Sequence, residues 1–310
     1  MRVTPGRRAR AGVALVELLV ALLLTAVVGG TLVRLMDRVQ RHARGLALET
    51  DQRAQLGVAA GAIAGALQGV AAHDGDLLSG SDSSVAYLAI VGVGVACAVG
   101  PATIDLAPIG LASGAMLTWW NTAPQGGDTV VVLDEGLVPA DLDDRWRHVA
   151  LVAVAPRTGA CHGSPWLDSI ADAGRVGWRL SLGDTLPATV TRGAPVRVLR
   201  PERLALYRSS GEWMLGWTEW NPATAAWHAI QPVAGPLLPH APAGATSGLA
   251  LAWRDSTGAT VVPAPIPPVL PRWLDLALGA TTRRQVRHDG VARGLRRDSL
   301  TLRLPLRNTP

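Results

Sequence analysis

The stretch RRARAGVALVELLVALLLTAVVGG, residues 7–30, decides how this chain is read. Residues 1–12 contain Arg2, Arg7, Arg8 and Arg10 and no acid. From Val13 to Val33 the chain is nearly all apolar, broken by Glu17, Thr25, Thr31 and the pair Gly29-Gly30. A helix of that length spans about 31 Å, close to the hydrocarbon thickness of a bilayer. The arginine-rich front predicts a cytoplasmic N-terminus, with everything after Val33 across the membrane. A cleaved secretory signal has the same layout, with a cleavage site at Val28-Gly29-Gly30, and so does an ordinary signal anchor. Arg7-Arg8 lacks the flanking pattern of a twin-arginine signal. None of these requires an acid inside the apolar run. A charge at the centre of a membrane helix costs about 2.5–3.5 kcal/mol on insertion scales, and less near an end, so Glu17 asks for a functional reason.

The apolar pattern continues past Val33. Leu32, Leu35, Met36, Val39, Ala43 and Leu46 recur at three- and four-residue steps, followed by Leu56, Ala60, Ile63, Leu67 and Val70. Arg34, Asp37, Arg38, Arg41, Arg44, Glu49, Asp51 and Arg53 lie between them, so the expected helix turns amphipathic where it leaves the bilayer. A plain anchor usually gives way to a linker here, whereas this pattern predicts one helix reaching about Val70.

The register GVALVELLVALLL resembles the prepilin cleavage-and-methylation motif, in which a Gly precedes an apolar segment with Glu at its fifth position. The family usually has Phe or Met where this chain has Val13. The resemblance implies a leader of residues 1–12 ending at Gly12, a mature and N-methylated terminus at Val13, and an assembly role for Glu17. Cleavage would create an ammonium at Val13 in a low-dielectric setting, where a carboxylate from a neighbouring subunit gains by pairing with it. Glu17 would also sit in the first turn of the mature helix, where the macrodipole favours an anion.

After Val70 the pattern changes to short β-like runs separated by turn residues. Strands are expected over 84–99, 128–136 and 146–155, with a hairpin formed by RLALYR (203–208), SSGE and WMLGWTEWN (213–221). GLALAWRDSTGATVV (248–262) reads as a second hairpin, and the proline-rich connections of 232–271, including PAPIPPVLP, read as loops or spacers. The order of a Y-R strand, a Trp-rich hairpin, GLALAWRDSTG, LPRWLDLAL (270–278) and LRLPLRN (302–308) is similar to PilW/PulJ-type minor pilins and pseudopilins. The resulting expectation is an α+β, pilin-like fold: leader 1–12, a transmembrane then amphipathic helix over 13–70, and a β-rich periplasmic head over 71–310.

Composition sets the remaining bounds. The chain has 310 residues, a net charge of +5, no Lys, no Phe and eleven Trp, so every basic side chain is Arg. Such a basic chain admits acidic partners without requiring them. The two cysteines, Cys97 and Cys161, form a disulfide if the head lies outside the cytoplasm, and otherwise are buried thiols. No GxSxG, HExxH or Walker A pattern occurs, and GVGVAC (92–97) lacks the third Gly of a dinucleotide loop. Asp141, Asp143 and Asp144 of DLDDRW offer oxygen ligands without the spacing of an EF-hand. Trp213, Trp217, Trp220 and Trp227 read as packing across a hairpin, or as an aromatic contact surface. Arg283, Arg284, Arg287, Arg293, Arg296 and Arg297 form a C-terminal patch for an anionic partner, nucleic acid included, or a solvated loop. No catalytic residue, metal or cofactor is expected.

The resemblance implies a minor type IV pilin-like subunit of the bacterial inner membrane that initiates or caps a pilus. Its implied partners are prepilin peptidase, other minor pilins or pseudopilins, an inner-membrane assembly platform and lipid. The alternatives are a J-type minor pseudopilin of a type II secretion system, a signal-anchored exported enzyme, and an adhesin or DNA-binding pilus tip.

Overall fold

The computed structural model describes residues 9–138, 143–159, 161, 164–168, 170–241, 245–262, 270–284, 287–288, 291–292 and 294–306. One long helix, α1 (Ala9–Leu67), precedes a β-rich remainder, an α+β layout. No proline falls between Pro5 and Pro101, so nothing in that stretch removes a backbone donor from the helix. The helix stops three residues before the expected Val70, next to Gly69.

The contacts divide the chain into two units. The first comprises Met1–Ala54 with Thr281–Asp298. Its helical part leaves its large apolar residues exposed, from Leu15 to Leu46. Near Ala54, Gln52 Nε2 donates to the Arg296 carbonyl at 3.4 Å, and Arg53 pairs with Asp298 at 3.1 Å. Arg296 also pairs with Glu49. The two-residue strands β15 (Arg287–His288) and β16 (Val291–Ala292) pair with each other in this unit.

The second unit, Gln55–Ala280 with Ser299–Pro310, is the head. In chain order its strands are β1 (Leu77–Gly80), β2 (Ser84–Gly100), β3 (Thr103–Leu106), β4 (Trp119–Trp120), β5 (Thr129–Asp134) and β6 (Arg145–Thr158). Then follow β7 (Val176–Leu182), β8 (Pro195–Ser209), β9 (Glu212–Asn221), β10 (Ala226–Trp227), β11 (Gln231–Leu237), β12 (Leu249–Arg254), β13 (Thr260–Val261), β14 (Trp273–Thr281) and β17 (Arg297–Pro305). Both expected hairpins form. Between β8 and β9, Ser210 and Gly211 take φ of 50° and 87°, the positive pair that a tight two-residue turn needs. Between β12 and β13, Asp255 Oδ1 accepts the N–H groups of Thr257 and Ala259.

Two long strands build two cores. The N-terminal half of β2 pairs with residues 199–205 of β8, and that sheet continues through β9, β11, β14 and β12. Leu56, Ala59, Ala60, Ile63 and Leu67 of α1 pack on it, against Val85, Leu204, Leu215, Leu251, Leu274 and Leu276. β12 alternates buried and half-buried positions, the period of a sheet with one covered face. Past a register shift between Ile90 and Gly92, β2 enters a closed ring of pairings, β2–β3–β7–β6–β5–β8 and back to β2. The interior of that ring is filled by Ile104, Leu106, Val130, Val132, Leu180 and Val198. At the shift, any side chain on Gly92 would run into the Trp120 indole and the Trp119 carbonyl, so β4 can cross there only over a glycine.

One expectation needs correction. Residues 231–237, expected as proline-rich connection, form strand β11, paired to both β9 and β14. Pro232 and Pro236 are accommodated because register shifts flank Ala234, so few ladder donors are demanded of this strand. Residues 263–269 of PAPIPPVLP lie outside the described residues.

Candidate functional site

Gly12 and Val13 lie within α1, as does Glu17 one turn further on. Thr25 and Thr31 donate their hydroxyls back to the carbonyls of Ala21 and Val28, at 2.7 and 2.8 Å. Those two polar groups are therefore satisfied within the helix. Glu17 is exposed, and among the described residues it has no hydrogen-bond or ion-pair partner. The helix is long and apolar enough to cross a membrane by length and composition. From Arg34 to Arg53 the charged residues are exposed except for the half-buried Glu49, and Asp37 pairs with Arg41 one turn on.

Cys97 at the end of β2 and Cys161 after β6 are joined in a disulfide, with Cα atoms 5.0 Å apart. It closes a loop across a sequence separation of 64, which in the chain-entropy view contributes about 4 kcal/mol. Both cysteines are buried, so the bond belongs to the core of the barrel end.

Of the expected arginine patch, Arg283, Arg284 and Arg297 are exposed, while Arg296 is held by Glu49. Arg287 lies in β15, and Arg293 lies outside the described residues. Asp141 also lies outside them. Asp143 is used locally, its Oδ2 accepting the N–H groups of Leu137 and Val138 at 2.7 and 3.2 Å. The tryptophans do not act as one surface. Trp220 and Trp227 meet edge-to-face across β9 and β10 with centroids 5.5 Å apart, whereas Trp217 turns its indole N–H to Glu202.

Three polar constellations in the head carry no motif. Arg200 of β8 is buried, with Asp128 gripped bidentately at 2.6 and 2.8 Å and Glu219 at 2.5 Å. Nη2, one of the two nitrogens on Asp128, also donates to the Ala123 carbonyl at 3.1 Å. The hydrogen bond from Arg200 to Asp128 is the main reason its guanidinium is held above its ordinary pKa. Asp76, 1% exposed, accepts the Ala71 N–H at 3.0 Å, where the chain leaves α1. Arg197 reaches Asp74 and Asp76 at 3.6 and 3.8 Å and lies over the Trp146 ring at 4.2 Å. Burial pushes the Asp76 carboxyl up, against the pull of Ala71 and Arg197. Glu202 of β8 receives the Tyr87 hydroxyl at 2.7 Å and the Trp217 indole N–H at 2.8 Å on one oxygen. Burial, and then the Glu202 charge, hold the Tyr87 hydroxyl protonated well beyond its usual range.

In chemical terms, the Arg200 group is internally paired, with a partner on every guanidinium nitrogen. The Glu202 group lines a cavity, and Glu17 is exposed with no partner among the described residues. Compared with known protein families, with curated proteins and with solved structures, the chain matches none.

Proposed function

We propose that the chain is a minor type IV pilin-like subunit, inserted in the bacterial inner membrane with a periplasmic head and working by assembly. Prepilin peptidase would remove residues 1–12, and with them the four arginines ahead of Gly12. The mature subunit would then join other minor pilins on the assembly platform to prime or cap a filament. The observation that carries this reading is the register of Gly12, Val13 and Glu17 on one helix, with Glu17 lacking a partner among the described residues. In a low dielectric, that carboxylate is stabilised by the new ammonium of a neighbouring subunit, and a plain anchor has no use for it. Further support comes from the helix itself: the residues after Ala54 pack into the head without any intervening linker.

Mass spectrometry of the N-terminus of protein from its native host tests the cleavage. A chain starting at methylated Val13 is expected, and a start near Thr31 or an intact Met1 in processing-competent cells overturns the reading. Glu17→Ala should be cleaved normally yet enter filaments at least about tenfold less, as scored in sheared filament fractions; normal incorporation contradicts the pairing role.

A further inference from the structure

A cavity of about 430 Å³ opens in the head between the last turns of α1 and the sheet. One wall is Gly65, Ala66 and Gly69, and the other includes Tyr87, Glu202 and Trp217. The Glu202 carboxylate is half-buried, and its two hydrogen bonds both fall on Oε2 and both come from neutral donors. The fully buried acids Asp105, Asp128, Asp134 and Asp172 of the head each hold an arginine. Glu202 alone among these carboxylates has no cation, and it lines an open space. A carboxylate partly withdrawn from water, with a spare oxygen, gains from a charged donor.

The helix wall bears on what can enter. Gly57, Gly61 and Gly65 recur every four residues and so share one face of α1, and Gly69 follows just past its end. A Cβ added at Gly57, Gly61 or Gly65 would meet nothing within 4 Å, so this face is open rather than packed. A face without side chains lets another backbone approach closely, which a free small cation does not need. A guanidinium suits the far wall better than an ammonium. It is planar, more weakly hydrated and able to stack on an indole while donating two parallel hydrogen bonds.

We propose that this cavity is a socket for one arginine side chain of a partner protein, its guanidinium pairing with Glu202 against Trp217 and its backbone crossing the glycine face of α1. The socket lies wholly within the head, so it stands or falls separately from cleavage at Gly12.

The test uses the full chain in detergent and follows the Trp217 indole N–H by NMR, assigned by its loss in Trp217→Phe. N-acetyl-arginine amide should shift that resonance saturably. N-acetyl-citrulline amide, its neutral isostere, should bind at least tenfold more weakly. Glu202→Gln keeps an acceptor for Tyr87 and Trp217 and should weaken the arginine compound at least tenfold. Gly65→Leu, placed where the helix has room, should block the cavity with the fold intact. Equal binding of the citrulline compound, unchanged binding in Glu202→Gln, or no saturable shift overturns the proposal.

Discussion

Arg200 and Asp76 illustrate opposite outcomes of burying a charge. Each guanidinium nitrogen of Arg200 has a partner, two carboxylates and a carbonyl taking four of its donors. Removing it strands Asp128, which is 0% exposed. Arg200→Ala should therefore cost about 3–5 kcal/mol in denaturant unfolding, far above the effect of an exposed arginine such as Arg208. Asp76 is under-supplied, since one oxygen lacks a partner and Arg197 stands too far off for a hydrogen bond. Its folded-state pKa is raised, so it favours folding fully below the unfolded carboxylate range, and that contribution is lost as pH rises through the folded value. Asp76→Asn should gain stability relative to the parent as pH rises from 4 to 8, measured by thermal unfolding across that range; a difference that moves the other way contradicts the burial argument. Arg200 does not stand out in VLRPERLALYR (198–208), because its partner Asp128 lies 72 residues away. What was legible at this scale was Glu17, whose cost depends only on its immediate apolar neighbours.

The helix shows its two faces within three residues. Ile63 is 1% exposed in the core, while Gly61 is open to added volume. Ile63→Ala should destabilise the head by about 2–5 kcal/mol. Gly61→Ala should stabilise it by about 0.5–1 kcal/mol, because alanine loses less backbone entropy in a helix. Comparable losses in both would mean the packed face is misassigned. Periodicity foretold this helix and the strands β2, β5, β6, β8, β9, β12 and β13, since the spacing of apolar residues directly encodes which side is covered. It failed at β11, whose prolines argue for a loop when the segment is viewed alone. Pairing to β9 and β14 overrides that preference. It also could not show that β2 and β8 each serve two cores, because a strand that leaves one sheet for a closed ring keeps its period-two pattern throughout.

At the scale of the whole molecule, the head is held by two large hydrophobic clusters, a small third one around Leu88, Val131 and Leu199, and one covalent link. The disulfide ties the end of β2 to the segment after β6, on the barrel side of the head. Replacing both Cys97 and Cys161 by Ala should cost about 2–5 kcal/mol, with the helix-packed sheet less affected than the barrel in hydrogen exchange. Uniform loss of protection would instead mean that the two cores unfold as one. The sequence by itself determined the long apolar helix, its odd acid, the change to β structure and the two main hairpins, because each is written in contacts between residues a few positions apart. Whether the two cysteines meet, how β2 and β8 close a barrel, which acid keeps Arg200 buried and why Glu202 is left facing a cavity were decided only by the tertiary structure. Each of these depends on residues dozens of positions apart, and local periodicity carries no record of such a meeting.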